Sequence, residues 1–90
     1  MYRKLVRTKL FKKDLTKVKW TDQHYEKFIL FIAKLLAKES LPQEALDHQL
    51  KGEYSDFREF HIGGDLLVIY CVDVDIVTFV RIGSHSQMFN

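Results

Sequence analysis

Three short runs in the last third of the chain constrain its fold more than any other feature. Phe57–Ile62, Leu66–Val72 and Ile76–Ile82 are rich in β-branched and aromatic residues, the composition of strands. Gly63-Gly64 separates the first two runs and can take the positive φ of a tight hairpin, and Asp73-Val74-Asp75 separates the second and third. The stretch therefore predicts an antiparallel meander. Its middle run is apolar at both parities and is expected at the centre of the sheet, whereas Arg58, Glu59, His61 and Arg81 interrupt the outer two. Polar side chains are thus planted on a sheet, where a rigid backbone holds them in fixed relation.

The rest of the chain supplies cover. Residues 2–7 read as a short first strand. Thr8 can cap a helix whose apolar positions Leu10, Phe11, Leu15 and Val18 recur at helical spacing. Thr21-Asp22 opens a second helix, with Tyr25, Phe28, Ile29, Ile32, Leu35 and Leu36 as its apolar stripe, running to about Lys38 and ending before Leu41-Pro42. Only Lys19-Trp20-Thr21 separates the two helices, so they are expected to pair as a hairpin covering one side of the sheet. Residues 43–56 read as a polar loop long enough to be functional, and residues 83–89 as a tail that can form one helical turn. The fold class is α+β in the order β-α-α-β-β-β, a single domain over residues 1–90.

Composition limits what such a domain does. Nearly half of the residues are apolar and 29% are charged, which is ordinary for a globular protein and excludes a disordered chain or a fibrous repeat. The lone Cys71 rules out an internal disulfide and is expected to pack as a small core residue. No apolar run approaches the roughly 20 residues that span a bilayer, and the N-terminus lacks a signal-peptide core, so a cytoplasmic protein with no membrane partner is expected. Net charge is only +2, yet the first 20 residues hold one acid, Asp14, among many bases that include Lys9, Lys12, Lys13 and Lys17. Such a segment suits a polyanion such as RNA, or else is simply a solvated helix face.

The candidate chemistry is carried by histidine. His24 is expected to face solvent, whereas His48, His61 and His85 fall in the half containing the sheet, with Arg58, Glu59, Asp65 and Arg81. No close ligand pair of the HxH or HExxH kind occurs, so neither metal nor cofactor is expected. These residue types suit cleavage of RNA by its own 2′-hydroxyl. That reaction needs a base for the 2′-OH proton, an acid for the departing 5′-oxygen, and a cation on the phosphate. Imidazole titrates near neutrality and can serve in either protonation state, while an arginine fork matches a phosphate.

The ordered segments Asp47-His48-Gln49-Leu50-Lys51-Gly52, Arg58-Glu59-Phe60-His61, Asp65-Leu66-Leu67-Val68-Ile69-Tyr70 and Arg81-Ile82-Gly83-Ser84-His85, closing on Phe89, resemble the YafQ-like branch of the RelE superfamily of bacterial toxins. The resemblance covers residues 44–89; the first 40 residues match only in layout. It implies a RelE-like fold and a metal-independent endoribonuclease, an mRNA interferase of a type II toxin–antitoxin system that cuts messenger RNA on the ribosome. A cognate antitoxin is implied as partner, with an acidic, partly disordered segment expected to complement the basic helices, and operator DNA is reached only through the antitoxin complex. By position, His48, His61, Asp65, Arg81, His85 and Phe89 match the active-site set. His85 is read as acid and His48 as base, and His61 and Asp65 orient or substitute for that base. Arg81 is read as the phosphate ligand and Phe89 as a stacking surface for a nucleobase. Arg58 and the four lysines are read as RNA contacts. The chain departs from some relatives in carrying Glu59 in place of Asp and Leu66 in place of Trp. The competing readings are a non-catalytic RNA- or ribosome-binding module and a DNA-binding regulator.

Overall fold

The alternation of the last third becomes three antiparallel strands in a computed structural model that describes residues 1–89. The chain runs β1 (Lys4–Arg7), α1 (Lys9–Leu15), α2 (Asp22–Leu36), β2 (His48–Gln49), β3 (Arg58–Gly63), β4 (Leu66–Val72), β5 (Ile76–Gly83) and α3 (His85–Phe89). Gly64, at φ +56, makes the β3–β4 turn, in the left-handed region where glycine escapes the Cβ clash. The sheet order is β1-β5-β4-β3-β2, which puts the doubly apolar β4 at the centre as expected. The first strand joins as an edge, parallel to β5 with Leu5 opposite Val77. The opposite edge is a strand within the stretch that reads as a loop in sequence. Two residues long, β2 pairs antiparallel with β3, His48 opposite Glu59.

Period-two alternation sends Phe60, Ile62, Val68, Tyr70, Val77 and Phe79 to one face, Ile82 rejoins them past an extra residue in β5, and Phe11, Phe28, Phe31 and Leu35 of the helices close over the set. The Phe79 ring lies 5.4 Å from Phe11 and 6.0 Å from Phe60, tilted or edge-on, the geometries that aromatic quadrupoles favour. A smaller cluster of Leu67, Ile69 and Met88 lies apart, flanked by Leu50, Phe57, Val80 and Phe89. It seats α3.

Both helix caps form as expected: Thr8 Oγ1 accepts from the Phe11 N–H at 2.9 Å, and Thr21 Oγ1 from the His24 N–H at 3.1 Å. Several burial expectations need correction. α2 buries Phe28, Phe31 and Leu35, whereas Tyr25 and Ile29 are about half exposed, at 50% and 49%. The helix is rotated so that Phe31 meets Phe60 edge-on at 5.8 Å, leaving Tyr25 on the shoulder against Trp20. α1 is only seven residues long and presents Phe11 to the core, leaving Leu10 exposed and Val18 beyond its end. α2 stops well before Pro42 because Lys38 adopts φ 63, a left-handed residue no helix continues through. Cys71 alternates away from Tyr70 near the end of β4 and is half-buried rather than core. His24 does not simply face solvent: its ring lies over Gly63, where a Cβ would stand 2.6 Å from Nε2.

One irregularity positions the site. Ile69 pairs with Arg81 and Tyr70 with Phe79, so Val80 is an extra residue in β5, a β-bulge. The Val80 carbonyl accepts from Thr8 Oγ1 at 2.8 Å, tying the start of α1 to the bulge.

Candidate active site

The alternation that buries Phe60 and Ile62 turns Glu59 and His61 to the other face of β3. β2 pairs so that His48 stands directly across from Glu59, and α3, starting two residues after β5, brings His85 to the same place. Three imidazoles thus converge on one carboxylate. His61 Nε2 lies 3.1 Å and His48 Nε2 3.6 Å from Glu59 Oε2, and His85 Nε2 lies 3.3 Å from Oε1. The carboxylate is 2% exposed, whereas the rings of His48 and His85 are more than half open to solvent.

The flanking contacts fix the rings. His48 Nδ1 donates to the Leu46 carbonyl at 2.6 Å, so in the neutral ring Nε2 carries the lone pair, and it is this nitrogen that faces Glu59. The His48 and His61 rings stack with centroids 6.4 Å apart. Phe89 meets His85 edge-on at 5.1 Å and is itself met by Tyr54 at 5.2 Å. His48, His61, His85 and Phe89 are therefore brought together, as their order in the sequence suggests.

Asp65 and Arg81 are placed differently. They line a cleft of about 570 Å³ between the α1–α2 connection, the β3–β4 turn and the end of β5, where Lys17, Lys19 and His24 also lie. Arg81 is not free: Nε and Nη2 donate to Asp14 Oδ2 and Oδ1 at 3.0 and 2.8 Å, and the Ile82 N–H donates to Oδ2 at 3.2 Å. Burial pushes the Asp14 carboxyl up, but the Arg81 hydrogen bond, the Ile82 N–H and the charges of Arg81 and Lys17 outweigh it and hold the group below the ordinary carboxylate value. The same hydrogen bond raises Arg81 above its usual value.

Arg58, expected to contact RNA, is likewise engaged. Its Nε donates to Asp47 Oδ1 at 3.2 Å, and Tyr70 Oη donates to the same oxygen. Burial and the bond to Asp47 raise the Tyr70 hydroxyl above its ordinary value. Asp47 thereby tethers to β3 and β4 the segment that carries His48. Lys9, Lys12, Lys13 and Lys17 are exposed on α1 and just beyond it.

Glu59 and Asp14 are the site residues to which sequence alone assigns no role. Each carries a signal. Glu59 sits in phase with His61 on a strand, and Asp14 follows Phe11 by three residues, which puts an acid on the buried stripe of its helix. Among the described residues, no group of three or more His, Cys, Asp or Glu side chains forms an arrangement that could hold a metal ion. The three ring nitrogens share a carboxylate instead, an arrangement suited to accepting and releasing protons beside a bound substrate.

The chain is similar to known proteins over most of its length. Residues 3–90 match the family described as "Bacterial toxin of type II toxin-antitoxin system, YafQ". A Haemophilus influenzae protein described as a toxin, YafQ, is 36% identical over 87 residues, which cover 89% of this chain and 85% of that protein. The mRNA interferase toxin YafQ of Escherichia coli K12 is 31% identical over 61 residues, 66% of each chain. The E. coli DinJ–YafQ toxin–antitoxin complex shares the fold, with a TM-score of 0.83 at 24% identity over all of both chains. A copper-bound mutant toxin from Helicobacter pylori is 38% identical, with a TM-score of 0.81 over 99% of this chain and 100% of that one.

Proposed function

This chain belongs to the YafQ family of bacterial type II toxin–antitoxin toxins, and from that premise we propose that it is an endoribonuclease, an mRNA interferase that stops translation by cutting messenger RNA on the ribosome. The observation that carries the reading is the convergence of three histidine Nε2 atoms on the buried Glu59 carboxylate. Neutral His48, with its lone pair on Nε2, takes the proton of the 2′-hydroxyl. The 2′-oxygen then attacks the adjacent phosphorus and the P–O5′ bond breaks. Protonated His85, the most exposed of the three, gives its proton to the departing 5′-oxygen. Glu59 stabilises the positive charge that His48 gains, and His61 keeps that carboxylate in place. The products are a 2′,3′-cyclic phosphate and a 5′-hydroxyl. DNA lacks the internal nucleophile and is not a substrate.

Around this centre, Phe89 offers a face for base stacking, and Arg81 reaches the phosphate with the N–H groups that Asp14 leaves free. Asp65, on the β3–β4 turn, stands at the rim. The lysines of α1 supply sequence-independent attraction to RNA. Among the described residues no helix is long and apolar enough to cross a membrane, and a translation inhibitor acts in the cytoplasm. An antitoxin, complementary in charge to the basic helices, is the partner that silences the protein, and operator DNA is bound only through their complex.

The test is His85→Ala. Cleavage of ribosome-bound mRNA and growth arrest should both be lost while association with ribosomes is retained. Cleavage at the wild-type rate would remove His85 from the reaction and return the chain to a binding module.

A further inference from the structure

We propose that the cleft beside the histidine cluster is a nucleotide subsite, which receives the RNA residue next to the cleaved bond and in which Asp14 positions Arg81 as the phosphate anchor. The proposal rests on the ribonuclease reading above and deepens it, adding Asp14, Lys17, Lys19 and His24 to the surface that holds Arg81.

The cleft and the cluster share two walls. β3 passes from His61 into Gly63, and the chain leaving β5 passes from Ser84 into His85, so an RNA strand lying across the three rings continues into the cleft. A volume of about 570 Å³ falls within the roughly 300–1,000 Å³ of small-ligand sites, enough for one nucleotide. Lys17 and Lys19 line the cleft, and among the described residues neither forms a salt bridge. Leu66 and the flat ring of His24, pressed on the backbone of Gly63, also line it and give an apolar and aromatic surface for a base.

Asp14 gives the arrangement its direction. A free arginine at this position would sample many rotamers, but the Asp14 carboxylate, less than a tenth exposed, takes Nε and one edge of Nη2 in a side-on fork. What remains is Nη1 and the second N–H of Nη2, the end-on fork that fits two phosphate oxygens. Asp14 Oδ2 already accepts two N–H groups, so the carboxylate is occupied. The lone acid of the basic segment is therefore a positioning residue for Arg81.

The experiment uses the isotope-labelled toxin and a 2′-O-methylated triribonucleotide, which cannot be cleaved. Its addition should shift the amide resonances of Gly63, Gly64, Leu66 and Ser84, and the Nη1 resonances of Arg81 should move while Nε–H, held by Asp14, stays in place. In Lys17→Ala/Lys19→Ala, the Kd should rise about tenfold, as Arg81 is left as the cleft's one cation for the phosphate backbone. In Asp14→Asn, the Arg81 Nε–H should become sensitive to the trinucleotide. Shifts confined to the faces of His48, Glu59 and His61, or an unchanged Kd in the double lysine variant, would overturn the subsite. If the trinucleotide occupies the cleft but no RNA is ever cut, the subsite stands and the ribonuclease reading fails.

Discussion

Glu59 Oε2 lies 3.1 Å from His61 Nε2, two residues along the same strand, and this pair is the floor on which the two more exposed histidines rest. A carboxylate at 2% exposure needs a hydrogen-bond partner, and the His61 ring is the nearest. Glu59→Gln keeps the shape and removes the charge that offsets a protonated His48. Cleavage of ribosome-bound mRNA should fall about 100-fold, the scale of one positioned proton transfer. A rate within a factor of two of wild type would take Glu59 out of the mechanism.

The ends of the products follow from the nucleophile. Sequencing-gel and mass analysis should find a 2′,3′-cyclic phosphate or 3′-phosphate beside a 5′-hydroxyl, and cleavage should persist in EDTA once ribosome integrity is controlled. Activity lost in EDTA and restored by a divalent ion would show that a metal carries the chemistry, an outcome worth testing given the copper-bound relative.

Asp14 links the active site to stability. Its folded pKa lies below the ordinary value of 3.8, so the stabilisation is in place above that pH and is lost as pH falls through the folded value. Asp14→Asn should cost about 2–3 kcal/mol near neutrality, somewhat less than breaking a fully buried pair because Arg81 is partly exposed. Denaturant titrations of the two proteins should converge below about pH 4. A constant difference down to pH 2 would mean that the variant loses packing and not charge.

Tyr70 behaves in the opposite sense. Burial and Asp47 raise its pKa above the ordinary 10.0, so its contribution is present below that pH and fades as pH rises beyond it, where the unfolded chain ionises first. Tyr70→Phe should lose about 1–2 kcal/mol at neutral pH by leaving Asp47 with one partner fewer. It should also flatten the alkaline limb of the stability profile between about pH 10 and 12, which thermal melts can follow.

The lysines of α1 are predicted to act through salt. Replacing Lys9, Lys12 and Lys13 with alanine should weaken RNA association and reduce the slope of log affinity against log salt by up to about 0.7 for each phosphate no longer neutralised. An unaltered slope would make this face merely solvated.

The histidine side of the site is legible in the sequence because it rests on period two. Once Phe60 and Ile62 are assigned to the core, His61 must face the other way, and the hairpin at Gly64 sets the neighbours of β3. What is not legible lies in contacts between distant parts of the chain. Asp14 and Arg81 are 67 residues apart, and no local pattern pairs them. Arg58 reads as a free cation in sequence, whereas in the fold its Nε is paired with Asp47, which Tyr70 also holds. β2 escapes because two residues carry no measurable alternation, and only its partner strand defines it. The buried stripe of α2 is narrower than its periodicity predicts. Helical spacing gives the set of apolar residues, but the rotation that selects Phe31 over Ile29 comes from the seat that Phe60 provides.

The parallel pairing of β1 with β5 sets an order of events during synthesis. β1 and α1 leave the ribosome first, yet Leu5 waits for Val77, Thr8 for Val80, and Asp14 for Arg81. Such non-local closure comes late, because the loop entropy must be overcome before any contact rewards it. The histidine cluster obeys the same rule, for His48 and His61 cannot meet their third partner on Glu59 until His85, far along the chain, has been made. Until then Glu59 is a carboxylate without its full set of rings, and the centre proposed to cut RNA exists only in parts.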